Sequence, residues 1–68
     1  MPLTVTINGE ARELTGAMSV HELLASLGMD PAKIAVERNL EIVPRSLYAV
    51  TGLCDGDRIE IVNFVGGG

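Results

Sequence analysis

Few side chains in these 68 residues could do chemistry. The chain has one cysteine, Cys54, one histidine, His21, and one lysine, Lys33. His21 falls in the first turn of an expected helix, solvated and without a partner for acid–base work. Cys54 has the acidic Asp55 beside it and no basic neighbour along the chain, the opposite of a thiol-activating setting. A free cysteine there reads as a small buried hydrophobe. A single cysteine excludes an internal disulfide, and with one histidine it leaves a tetrahedral zinc site short of ligands. Asp55 and Asp57 flank Gly56 as in a turn, and the rest of a calcium-binding EF-hand loop is missing. The glycines match neither G-x-x-x-x-G-K-[ST] nor G-x-G-x-x-G, so the chain lacks a phosphate-cradling loop. Catalytic side chains and metal ligands are thus expected to be absent. What remains is the closing run Gly66-Gly67-Gly68.

Three glycines after an apolar strand carry nothing to pack. A frayed terminus is the ordinary reading. The chemical reading is that a segment without Cβ atoms enters a narrow channel and presents its carboxylate to another protein's active site. A carboxylate is a poor electrophile at neutral pH, because its charge repels nucleophiles and oxide leaves badly. Transfer of AMP from ATP converts it to a mixed anhydride with a phosphate leaving group. A sulfur nucleophile then gives a thiocarboxylate, and a lysine amine gives an isopeptide. Both routes need an adenylating partner that uses the ATP; the chain itself is expected to bind no cofactor. With Lys33 as its only lysine, the chain is poorly supplied with acceptors for a self-linking modifier.

Composition narrows the partners. Nine acidic residues against five basic ones give a net charge of −4, which argues against nucleic acid or an anionic membrane and favours basic protein surfaces. The hydrophobic content of 47% is mostly Val, Ile, Leu and Ala, with Tyr48 and Phe64 the only aromatics. That suffices for one small core but leaves little room for a deep, walled active site. No apolar run is long enough to span a bilayer, and Met1-Pro2-Leu3-Thr4-Val5 lacks the basic and apolar regions of a signal peptide. Cytoplasm is the expected compartment.

The elements that must position the tail are well signposted. Leu3, Val5 and Ile7 alternate with Thr4 and Thr6 as a half-buried strand. Asn8-Gly9 signals a hairpin to a second strand, Glu10 to Leu14. Ser19 and Glu22 form a capping box, with Met18 placed to staple onto Leu23. Val20, Leu23, Leu24 and Leu27 make one apolar helical stripe, which Gly28 and Pro31 terminate. Ile34 to Arg38 reads as a third strand, Asn39-Leu40 as a tight turn and Glu41 to Val43 as a short fourth strand closed by Pro44. Arg45 to Thr51 is weakly patterned and reads as a helical turn, with Leu53 in the core. Asp55-Gly56-Asp57 is a turn into a last strand, Arg58 to Val65, with Ile59 and Ile61 facing inward.

The order β-β-α-β-β-β predicts an α+β domain in which one helix packs on one face of a mixed four- to five-stranded sheet. The last strand should lie parallel to the first. This is the β-grasp, or ubiquitin-like, arrangement, as a single domain over residues 1–65 followed by a flexible tail, 66–68. Glu60, Val62 and Phe64 then fall on the uncovered face. They form either a contact patch or ordinary strand composition, with Phe64 favoured for contact because it adjoins the tail. Arg45 either touches a partner or pairs with a surface carboxylate.

Five segments resemble one family. They are Asn8-Gly9-Glu10, Val20-His21-Glu22-Leu23-Leu24, Asn39-x-Glu41-Ile42-Val43-Pro44-Arg45, the run from Asp55 to Val62, and Phe64-Val65-Gly66-Gly67-Gly68. Together they are similar to the sulfur carriers of thiamine biosynthesis, the ThiS family, over essentially the whole chain. That family usually ends in two glycines, matched by Gly67 and Gly68. The related molybdopterin-synthase carriers are generally longer and lack the Val-Pro-Arg segment. The resemblance implies that Gly68 is the covalent carrier site. An E1-like, ThiF-type adenylyltransferase would activate it, and a sulfurtransferase or cysteine desulfurase system would convert it to a thiocarboxylate. Thiazole synthase, the ThiG-type enzyme, would receive the sulfur. The chain would be a co-substrate and not an enzyme. The alternatives are a carrier for molybdopterin or sulfur amino acid synthesis, and a ubiquitin-like modifier or interaction module.

Overall fold

The computed structural model describes residues 2–64. Strands β1 (Leu3–Ile7) and β2 (Glu10–Leu14) form an antiparallel hairpin. Its turn residues Asn8 and Gly9 have φ of 49° and 86°, the left-handed pair whose twist suits a two-residue connection. Helix α1 (Val20–Ser26) has seven residues and is too short to persist alone in water. Its first turn is therefore held from outside. The Ser19 hydroxyl accepts from the Glu22 amide at 3.1 Å, and the Glu22 carboxylate accepts from the Ser19 amide at 2.9 Å. The Val20 and His21 amides donate to the carbonyls of Thr51 and Tyr48 at 2.9 and 3.0 Å, so the amides that every helix N-terminus orphans all find acceptors. At the other end Gly28 takes φ 72°, the left-handed exit expected of it. Replacing Ser19 by Ala should cost about 1 kcal/mol. In a domain of this size that lowers the midpoint of a thermal melt by roughly 4–8 °C.

Strands β3 (Ile34–Arg38) and β4 (Glu41–Val43) make a second hairpin, and β5 (Arg58–Asn63) completes the sheet. The β3–β4 turn places Asn39 at φ 52° and Leu40 at φ 71°. Leucine is a costly occupant of that region, where its Cβ crowds the backbone. Its side chain is 76% exposed and adds nothing to the core. Short 3₁₀ turns cover Pro31–Lys33 and Arg45–Leu47, the latter within the stretch read as a helical turn.

The sheet order is β2-β1-β5-β3-β4. As expected, β5 runs parallel to β1, with Thr6 opposite Arg58 and Ile7 opposite Ile59, while β3 flanks it antiparallel on the other side. One core cluster joins Val20, Leu23 and Leu24 of α1 to Val5, Ile34, Val36, Ile59 and Ile61 of the sheet. Each fully buried aliphatic side chain contributes on the order of 2 kcal/mol. Met18 and Leu27 pack against the same cluster. This is the β-grasp fold with all five strands formed.

One particular differs from the sequence reading and another was not addressed by it. The last strand was expected over Arg58 to Val65; as described it ends at Asn63, and Val65 lies outside the described residues. Tyr48, in the weakly patterned stretch, is buried at 4% exposure. The 45–53 segment wraps the helix N-terminus, where Leu53 also donates its amide to Met18 at 2.9 Å, and this drives the ring inward.

Candidate functional site

The expected carrier site Gly68, with Gly66 and Gly67, lies outside the described residues, so its setting is the strand that leads to it. That strand is tightly held. It is central in the sheet, with β1 and β3 on either side. Where β1 stops, the Asn8 side chain continues the ladder: its Oδ1 accepts from the Ile61 amide at 2.7 Å and its Nδ2 donates to the Ile61 carbonyl at 3.1 Å. Beyond the last strand residue, the Phe64 amide donates to the Lys33 carbonyl at 2.9 Å. The backbone is thus fixed up to the residue that precedes Val65 and the glycines in sequence.

Among the described residues, no element covers the sheet face away from α1. Inward Ile59 and Ile61 alternate with outward Glu60 and Val62, and Phe64 follows in the same phase. Val62 is 59% exposed and Phe64 53%. The register adds residues that the strand pattern alone did not reveal. Ala35 stands opposite Val62, Glu37 opposite Glu60, and Ile42 of β4 opposite Glu37. Ile42 is 74% exposed, so it extends the apolar surface across three strands. Counting outward from the Asn39-Leu40 turn would have found it.

Arg45 is elsewhere. Its Nε donates to the Pro31 carbonyl at 3.1 Å and its guanidinium reaches the Ala32 carbonyl at 3.5 Å. It pairs with no carboxylate among the described residues and ties the two 3₁₀ turns together. His21 is exposed on the first helical turn, as expected.

The Asp55-Gly56-Asp57 turn does more than reverse the chain. The Asp55 carboxylate accepts from the Thr4 amide at 2.8 Å. Asp57 is buried at 5% exposure and gathers donors from three places. Arg38 Nε donates to it at 2.8 Å, Asn39 Nδ2 at 3.0 Å and the Cys54 amide at 2.7 Å. Asn39 in turn accepts from the Arg58 amide at 2.9 Å. Cys54 is exposed, and the Arg38 guanidinium lies 3.6 Å from its Sγ. This corrects the sequence reading of a buried cysteine without a basic neighbour: the cation comes from β3, far along the chain.

Burial alone would raise the Asp57 pKa, but the hydrogen bonds from Arg38, the Cys54 amide and Asn39 outweigh it and hold the carboxyl below its ordinary value. A depressed folded-state pKa gives stability that is present above the unfolded value and lost as pH falls through the folded one. The melting temperature should therefore decline below about pH 4, and Asp57→Asn should flatten that decline.

The model of the ThiS family matches residues 5–68. The chain belongs to the ThiS family. A sulfur carrier protein ThiS from Bacillus subtilis is 48% identical over 50 residues, covering 74% of this chain and 76% of that one. The crystal structure of a thiamine biosynthesis protein, ThiS, from Geobacter metallireducens superposes with a TM-score of 0.84 at 33% identity, covering 97% of this chain and all of the other. A protein of Paramagnetospirillum magneticum named thiazole synthase is 54% identical over 66 residues, 97% of this chain. The chain spans only 20% of that protein's length. In this ThiS-family chain the segments that carried the resemblance have visible work: Asn8 clamps β5, Asn39 and Asp57 close the turn network, and Val43-Pro44-Arg45 ends β4 and starts the wrap around α1. Among the described residues no helix is long and apolar enough to cross a membrane.

Proposed function

We propose that this ThiS-family chain carries sulfur as a thiocarboxylate on Gly68 and delivers it to thiazole synthase for the thiazole ring of thiamine. A carboxylate oxygen of Gly68 attacks the α-phosphorus of ATP in an E1-like, ThiF-type adenylyltransferase, and pyrophosphate leaves. The terminal sulfur of a persulfide, supplied by a sulfurtransferase or cysteine desulfurase system, then attacks the carbonyl and AMP leaves. A second thiol cleaves the resulting acyl disulfide, being oxidised to a disulfide with the donor cysteine, and frees the thiocarboxylate. The carrier contributes no catalytic side chain; it supplies an acyl group and a surface. ATP is consumed by the partner, and the cycle runs in the cytoplasm.

The observation that carries this reading is the protein named thiazole synthase, one fifth of which aligns with nearly all of this chain. A carrier-like segment within a protein of that name supports a direct functional contact between the two. The clamped end of β5 supports it physically, because a tail that must reach into another active site needs a fixed point of departure.

The test is incubation with ATP, the adenylyltransferase and a sulfur donor, followed by addition of thiazole synthase. Formation of a thiocarboxylate that thiazole synthase consumes is the expected result. A thiocarboxylate it leaves untouched would move the chain to another sulfur pathway, and lysine-linked adducts would make it a modifier.

A further inference from the structure

We infer that the open sheet face seats a basic side chain of the protein partner, an arginine by preference, between Glu37 and Glu60. This rests on reading that face as the docking surface of the carrier.

Glu37 and Glu60 are direct cross-strand partners, and Ile42 is the next residue along the same row. Side chains so placed have Cβ atoms about 5 Å apart, and like charges there oppose pairing of the strands. Nothing in the described residues relieves the repulsion. The one ion pair among them is Arg38 with Asp57, and no described side chain donates a hydrogen bond to either glutamate. Arg38, adjacent to Glu37 in the chain, faces the other way into the Asp57 network. Arg58, two positions before Glu60, forms no ion pair with it.

The surroundings define the occupant. Exposed Ile42 stands opposite Glu37, exposed Val62 is the next outward residue after Glu60, and exposed Phe64 follows one step further along, so the surface is apolar with an acidic pair at one end. A guanidinium is planar, weakly hydrated and able to bridge two carboxylates while its stem lies on apolar neighbours. A second copy of this chain fits badly, because a two-fold contact through this face would bring the same carboxylates together. A nucleic acid or anionic membrane would be repelled by them.

The test uses purified thiazole synthase as the binding probe, titrated at low and high salt, together with thermal melts of each carrier variant. Glu60→Lys places opposite charges across the strands, so its melting temperature should rise while affinity falls by at least about 10-fold. Glu37→Gln and Glu60→Gln should melt at or above the parent temperature, bind less tightly and lose much of the salt dependence. A residue that served only the fold would not give higher stability with weaker docking. Phe64→Ala is the control for the face itself. If the glutamate variants bind like the parent at both salt concentrations while Phe64→Ala binds weakly, the inference is overturned and the docking reading stands. If Phe64→Ala also binds like the parent, both fall together.

Discussion

Deleting Gly68, or adding one residue after it, should abolish sulfur uptake and leave the thermal melt unchanged. The expected loss is complete because, on the proposed mechanism, the reactive group is the Gly68 carboxylate itself. Adenylation needs that carboxylate at one position relative to the α-phosphate, and a displacement of about 1 Å in such a geometry already costs around 100-fold. One residue of extended chain is a shift of about 3.3 Å. Stability should not respond, because the core cluster is drawn from residues Val5 to Ile61. The paired measurement is intact mass after incubation with the adenylyltransferase, ATP and a sulfur donor, beside a calorimetric melt of the same sample. Sulfur uptake by the extended protein would remove the C-terminal mechanism.

Asp57→Ala should give the opposite profile, a large loss of stability with the proposed carrier chemistry untouched at temperatures where the domain stays folded. Its carboxylate is the one charged group buried among the described residues, and removing it strands Arg38 Nε, Asn39 Nδ2 and the Cys54 amide at once. Leaving three part-buried donors, one of them charged, without their acceptor costs about 3 kcal/mol. For a domain of this size that is a fall of roughly 10–20 °C in melting temperature. The affected region is the end of the sheet that holds the β3–β4 turn and the 54–57 loop, whereas Asn8 and Phe64 hold the end from which the tail departs. A melt establishes the loss, and sulfur uptake well below the new midpoint tests the separation. A variant that melts like the parent would show that the network contributes nothing.

These expectations also show which features could be read along the chain. Asn8-Gly9, the Ser19–Glu22 box and the alternation of Leu3 to Ile7 were legible because turns, caps and strand faces depend on residues within a few positions of one another. The parallel pairing of β1 with β5 followed from the handed crossover through a helix. Asp57 was read as a turn residue only, because its importance comes from Arg38 and Asn39, which another strand and turn bring to it. Cys54 was misjudged for the same reason: Arg38 is sixteen positions away in sequence and adjacent in space. Tyr48 sits in a segment with no period, since its burial is set by the helix N-terminus it wraps. Glu60 and Val62 were placed on the open face by alternation alone, but their partners Glu37 and Ala35 needed the β3–β5 register, whereas Ile42 could be counted outward from the Asn39-Leu40 turn. The closing glycines were singled out by elimination and by family resemblance, and they lie outside the described residues.

The most direct measurement is where sulfur resides after incubation with ATP, the adenylyltransferase and a sulfur donor, read by fragmenting the intact protein in a mass spectrometer. Sulfur carriage on Gly68 predicts that one oxygen is replaced by one sulfur in the fragments that contain the last glycine, with every fragment ending at or before Phe64 unchanged. Sulfur on Cys54, or no change at the terminus, would contradict it.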